Sequence, residues 1–185
     1  MHFPVRDKPY RLSRLTQIEN RWHLRRAAWS RPPIGILSVP EPWTIGQYDR
    51  GKQLVAGNFL MQGQILSVGD GSVWDQPMPS DFFEAELHSF GWLDDLAAVG
   101  DSEARGRAQT WLLEWISKFG TGKGLGWNSN LTGRRLIRWI NHSIFIQKIL
   151  PKNSANIFHY SMALQTVFLS RRWRQGHTSM ERFEA

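Results

Sequence analysis

Apolar residues recur at helical spacing over about residues 10–29, where Leu12, Leu15, Ile18, Trp22 and Trp29 alternate with Arg11, Arg14, Arg21, Arg25 and Arg26. The pattern predicts an amphipathic helix with two uses open to it. Either its apolar face docks on a core and its basic face is solvated, or it engages a polyanion or a membrane surface. Arg31-Pro32-Pro33 stops the helix, and Pro40 and Pro42 keep the following stretch extended. Between Lys52 and Trp74 the pattern shifts to short, partly β-branched runs, Gln53–Phe59 and Gln64–Val68, separated by Gln62-Gly63. They predict a small hairpin in the N-terminal third, too little sheet to form the core of a domain.

From Asp81 onward helix follows helix. Asp81 is placed to cap one that runs to about Val99 and ends at Gly100, with Glu84 three residues after the cap. Asp101 or Ser102 caps the next, in which Ala104, Ala108, Trp111, Leu112, Trp115, Ile116 and Phe119 form one broad stripe closed by Gly120. Thr121 to Gly126 is glycine-rich but lacks the spacing and the Lys-Ser/Thr pair of a phosphate loop, so it reads as a flexible connection. Asn130 then caps a helix over Leu131–Leu150, stopped by Pro151. A last helix opens at Asn153 or Ser154 and runs to about Arg171. The fold class predicted is mainly α: stacked antiparallel helix hairpins with a minor β-hairpin.

Composition narrows the chemistry. With 185 residues, 41% of them apolar, the chain is long enough for a globular core. Its net charge of +7 is unevenly spread: residues 1–31 hold eight Lys/Arg against two acids, 32–133 six against twelve, and 134–185 nine against two. Such basic ends attract phosphates, sulfates or uronates alike. Without cysteine there is no disulfide framework, no thiolate metal site and no thiol nucleophile. No apolar run approaches the ~20 residues of a membrane span, and the first 31 residues lack the run of a signal peptide. A cytoplasmic location is the default, a periplasmic one being open if the true start lies elsewhere.

Several groups are candidates for a site. Leu136, Ile137, Ile140 and Ile144 are expected to form the core stripe of their helix. Arg135, Trp139 and His142, at i, i+4 and i+7, would share a neighbouring face. A guanidinium fork, an indole face and an imidazole would suit a uronate groove, although tryptophan on a helix is commonly core and Arg on Trp a common surface pair. Trp127-Asn128 stands at a helix start, where free backbone N–H groups favour an anion, or where Trp127 plugs the helix pair. His88 lies near Phe90, Trp92 and Asp94-Asp95, an arrangement more often structural than ligating, and no His spacing suggests a metal. His159-Tyr160 could move protons but point about 100° apart on a helix. No cofactor is implied. Sequons at Asn130 and Asn141 read as coincidence.

Gly46-Gln47-Tyr48-Asp49-Arg50-Gly51, Ala56-Gly57, Val73-Trp74, the Leu87–Leu96 run, Trp115-Ile116, Trp127, Arg134-Arg135-Leu136-Ile137-Arg138-Trp139 and Gln165 to Ala185 follow one another as in bacterial heparinase II/III-like proteins. Over about residues 40–185 the chain resembles that family, through order and spacing rather than one diagnostic motif. The resemblance implies the N-terminal portion of an incomplete α/α toroid, continued in the family by β-sandwich domains. It also implies polysaccharide lyase chemistry: β-elimination on acidic, uronate-containing polysaccharides such as glycosaminoglycans, with Arg, Asn or His donors offsetting the carboxylate. The substrate-binding residues expected on this basis are Trp127, Arg134, Arg135, Trp139 and His142. Catalytic residues would lie beyond Ala185, and Gly176-His177-Thr178 lacks the asparagine of the family's Gly-Asn-His element.

The expectation is therefore a basic N-terminal helix and Pro-containing linker over residues 1–39, and a truncated toroid portion over 40–185. That portion would contribute part of a carbohydrate-binding groove, inactive alone, with the missing C-terminal part supplied on another chain if at all. The partner expected is an acidic polysaccharide or oligosaccharide, not nucleic acid. Two other readings stay open: a non-catalytic glycan-binding or structural module, and a basic nucleic-acid-binding helical protein.

Overall fold

The computed structural model describes residues 13–29, 44–69 and 71–172. The chain ends bearing Gly176-His177-Thr178 and Glu181 to Ala185, and the Pro-containing stretch after Trp29, lie outside the described residues. Within them the protein is mainly helical, with one small two-stranded antiparallel sheet.

Helix α1 (Arg14–Trp29) forms where a helix was expected near the N-terminus, but the face it packs inward carries Asn20, Leu24 and Ala27, while Leu15, Ile18 and Trp22 of the expected apolar stripe are exposed. Helix α2 (Tyr48–Val55) was not anticipated: Gln53, Leu54 and Val55, read as strand, form its last turn. Two glycines explain it. A Cβ at Gly46 would overlap the Asp94 carbonyl and one at Gly51 the Asp95 carbonyl, so only glycine lets this short helix lie directly on α4 (Trp92–Val99). The hairpin pairs β1 (Asn58–Met61) with β2 (Gln64–Ser67) in the register Asn58↔Ser67 to Met61↔Gln64. Gln62 and Gly63 both have positive φ, as the two-residue turn of a right-twisted hairpin requires.

The helix expected over Asp81–Val99 is two helices, α3 (Asp81–Ser89) and α4. Ser80, one residue before the expected cap, accepts from the Phe83 N–H. Phe90 breaks the run at φ +62°, a left-handed conformation that costs an L-residue roughly 1–2 kcal/mol. Burial of its ring offsets that cost, for Phe90 is fully enclosed and stands 4.7 Å from Trp92 and 5.3 Å from Trp139 between ring centroids. Helix α5 (Ser102–Phe119) starts at Asp101, which accepts from the Ala104 N–H, and ends at Gly120, as the sequence predicts.

The long helix expected over Leu131–Leu150 is also divided, into α6 (Ser129–Asn141) and α7 (Ser143–Gln147). Asn128, not Asn130, caps α6 by accepting from the Asn130 N–H. Helix α8 (Lys152–Arg172) closes the described structure. It runs antiparallel to α6, since Trp127 meets Phe168, Arg135 meets Gln165 and Trp139 meets Phe158 as one number rises and the other falls. On its other side Glu19 and His23 of α1 meet Arg172 and Arg171.

An aromatic cluster holds these elements together. Trp111, Trp115, Trp127, Trp139, Phe59, Phe90, Phe158 and Phe168 are all essentially inaccessible to solvent, and most of their mutual contacts are tilted or edge-on. Each such ring removes on the order of 150–250 Å² from water, which makes this cluster the dominant source of stability.

Candidate functional site

A cleft of about 370 Å³ lies where the hairpin, α2, the α3–α4 junction and α6 meet. Its polar wall consists of Arg50, Glu86, Asp94, Asp95, Arg134 and Arg138, and Phe82, Leu60 and Met61 supply apolar surface. Each charge is answered within the wall. Arg134 reaches both oxygens of Glu86, at 2.8 and 3.1 Å, in a bidentate pair. Arg138 donates from Nε to Asp94 Oδ2 at 3.2 Å, and its Nη1 returns to the Arg134 carbonyl. Asp95 accepts from the Gln47 N–H at 2.8 Å and lies 3.6 Å from Arg50 Nε.

Asp94 is the centre of this lattice. Besides Arg138 it meets His142 Nε2 at 2.8 Å and the Thr44 hydroxyl at 3.1 Å. It thereby ties together α4, the end of α6 and the segment leading into α2. Three guanidinium groups face three carboxylates, so the cleft has no surplus positive charge with which to hold a uronate or phosphate.

Of the expected site residues, Trp127, Arg135 and Trp139 are brought together, but inside the protein. Arg135 is completely buried, its guanidinium carbon 4.0 Å from the Trp115 ring centroid and 5.7 Å from that of Trp127. Its N–H groups donate to Gln165 Oε1, the carbonyls of His88 and Gly126, and the Thr132 hydroxyl. All of these are neutral, and burial alone pulls the guanidinium's pKa well down. Trp127 donates to the Phe119 carbonyl and accepts at its own carbonyl from Asn20 of α1. Trp127 is thus the plug of the helix pair. Arg134 and His142 stand apart from that group, at the cleft and behind Asp94 respectively.

The expected core stripe of α6 is corrected. Ile137 and Ile144 are 50% and 71% exposed, while Leu131, Thr132, Arg135, Leu136 and Trp139 face inward. The face assigned to a groove is the packed one, because Trp115 and Gln165 give Arg135 a set of partners that no reading of α6 alone reveals.

His88, also buried, accepts from Trp115 Nε1 at 2.8 Å through Nδ1, and its Nε2 lies 3.8 Å from Glu84. Desolvation lowers its pKa below the ordinary value, so the neutral ring is the folded form. A Cβ at Gly126 would press into that ring, so this glycine of the Thr121–Gly126 loop serves packing, and the segment Leu125–Trp127 is buried. Among the described residues no three His, Asp or Glu side chains gather as a metal site would need. No helix among them is long and apolar enough to cross a membrane.

Comparison with known proteins finds a relative for this chain. FtsZ-localized protein C of Caulobacter vibrioides (strain NA1000 / CB15N) is 30% identical over 135 residues, which span 70% of this chain and 23% of that protein. No family model and no solved structure matches. The resemblance to heparinase II/III-like proteins is thereby overturned, and with it the expectations of a polysaccharide lyase fragment, of a glycan-binding module and of an acidic polysaccharide as partner. The physical basis for that reading also fails: the indoles meant to carry a sugar are core, and the arginines of the cleft already face carboxylates.

Proposed function

We propose that this chain is a helical docking module of a protein that localises with FtsZ, and that it acts by binding rather than by chemistry on a substrate. The similarity to FtsZ-localized protein C carries the reading, since it runs through 70% of the chain and so spans most of the described elements. The chain spans under a quarter of that relative's length, so the placement of the docking function within this part belongs to the proposal. The architecture suits the role. An aromatic core and an ionic lattice that cross-links α2, α3, α4 and α6 make a stiff scaffold, whose surfaces keep their shape when a partner binds.

The stacking of α1, α8 and α6 also supports a curved array of helix pairs of the α/α toroid kind, and we include that curvature in the proposal. The experiment is imaging of a fluorescent fusion of the full chain in cells with labelled FtsZ. Co-localisation that disperses when FtsZ is depleted is the expected result. A signal indifferent to FtsZ would overturn the reading.

A further inference from the structure

A second groove, of about 500 Å³, runs between α1, the end of α5 and α8. Its floor is apolar: Leu24 and Ala28 of α1, Ile116 of α5, and Ile157, Tyr160 and Leu164 of α8. Ile157 and Tyr160 are 42% and 39% exposed, so the floor is open to solvent along α8. The rim is entirely basic. Arg21, Arg25 and Lys123 line it and no Asp or Glu does.

Two features distinguish this groove from the cleft described above. In the cleft each guanidinium meets a carboxylate, whereas no ion pair or hydrogen bond engages Arg21, Arg25 or Lys123 among the described residues. Arg21 and Arg25 also stand at i and i+4 on α1, where like charges repel. Beyond them on the same helix, at 100° per residue, Leu15, Ile18 and Trp22 continue an exposed apolar surface. An uncompensated basic rim over an apolar floor, walled by antiparallel helices, fits one class of occupant better than others. Its apolar stripe would enter between α1 and α8, and its acids would face the rim.

We propose that the groove between α1, α5 and α8 is the docking site for an acidic amphipathic helical segment of a partner protein. The proposal rests on the docking reading above only in taking the occupant to be a protein. Apolar residues at i, i+3, i+4 and i+7 of that segment would cover Ile157, Tyr160 and Leu164, and its flanking Glu or Asp side chains would pair with Arg21, Arg25 and Lys123. Its acids would relieve the Arg21–Arg25 repulsion, so salt should weaken the complex by screening.

The test uses the purified full chain and a fluorescein-labelled synthetic helical peptide with leucines at those four spacings and glutamates elsewhere. A peptide with lysine in place of glutamate, and vesicles of phosphatidylglycerol and phosphatidylcholine, are run beside it. Fluorescence anisotropy should show saturable binding of the acidic peptide, at roughly micromolar Kd, and none of the basic one. The double change Arg21→Glu with Arg25→Glu should weaken binding at least about tenfold. Ile157→Glu, at an exposed position, should do the same without touching the rim, and Lys148→Glu, outside the groove, should leave it unchanged. Circular dichroism verifies that each variant is folded. No binding of the acidic peptide, equal binding of the basic one, indifference to both groove variants, or capture by vesicles that the peptide does not displace would each overturn the proposal. Because the components are purified, a failure here is distinct from a failure of the FtsZ co-localisation.

Discussion

Removal of the Arg135 guanidinium is the sharpest test of how this fold is held. The side chain is wholly enclosed, its positive charge meets no carboxylate among the described residues, and its bonds go to the carbonyls of His88 and Gly126, to Gln165 Oε1 and to the Thr132 hydroxyl. In Arg135→Ala the Gly126 carbonyl keeps the Thr132 hydroxyl as a donor, but the His88 carbonyl and Gln165 Oε1 lose their donor. Each orphaned acceptor costs about 1–3 kcal/mol. The hole left between Trp115 and Trp127 adds lost packing, and release of a buried charge from its cage offsets part of the total. The expected net loss is about 4 kcal/mol, a large share of the 5–15 kcal/mol typical of a domain. Arg135→Met keeps most of the volume and removes the charge, so it should lose about 2–3 kcal/mol. Arg135→Lys should do no better than Met, because a point charge without a planar fork cannot serve the same acceptors or stack on two indoles. Urea unfolding followed by the fluorescence of the ten tryptophans measures all three. An Ala variant within about 1 kcal/mol of the parent would refute the account of Arg135 as the keystone of the core.

Three further outcomes follow from single features. His88 has a folded pKa below its ordinary 6.5, so the unfolded chain binds the extra proton first as pH falls. Its contribution should be complete above about pH 6.5 and decline below that by at most about 1.4 kcal/mol per pH unit, a decline that His88→Gln should flatten in urea titrations at several pH values. Ile149 is 86% exposed and holds φ +64°, so Ile149→Gly should raise stability by about 1 kcal/mol, measured as a higher urea midpoint at unchanged slope. Gly51→Ala drives a methyl group into the Asp95 carbonyl and should cost about 1–3 kcal/mol by thermal or urea unfolding, whereas Gly106→Ala, where a Cβ meets nothing, should be neutral or stabilising.

Local chemistry along the chain determined much of this protein. The stripe of Ala104 to Phe119, the Asp101 cap, the Gly120 stop and the Gln62-Gly63 turn act through neighbours a few residues away, so they are legible in order and spacing alone. Tertiary structure decided the rest. Phe90 breaks a continuous helical pattern because its ring has a place among Trp74, Trp92 and Trp139, and Tyr48–Val55 is helix because Gly46 and Gly51 let it rest on Asp94 and Asp95. Arg135 and Trp139 point inward while Ile137 and Ile144 do not, since Trp115 of α5 stacks on the guanidinium and Gln165 of α8 accepts from it, partners that lie far away in sequence. A periodic pattern states which residues share a face; it does not state what the opposing surface offers. For this chain that surface turned a presumed sugar groove into core, and left Arg21 and Arg25 of α1, which meet no carboxylate among the described residues, at the exposed face of the helix.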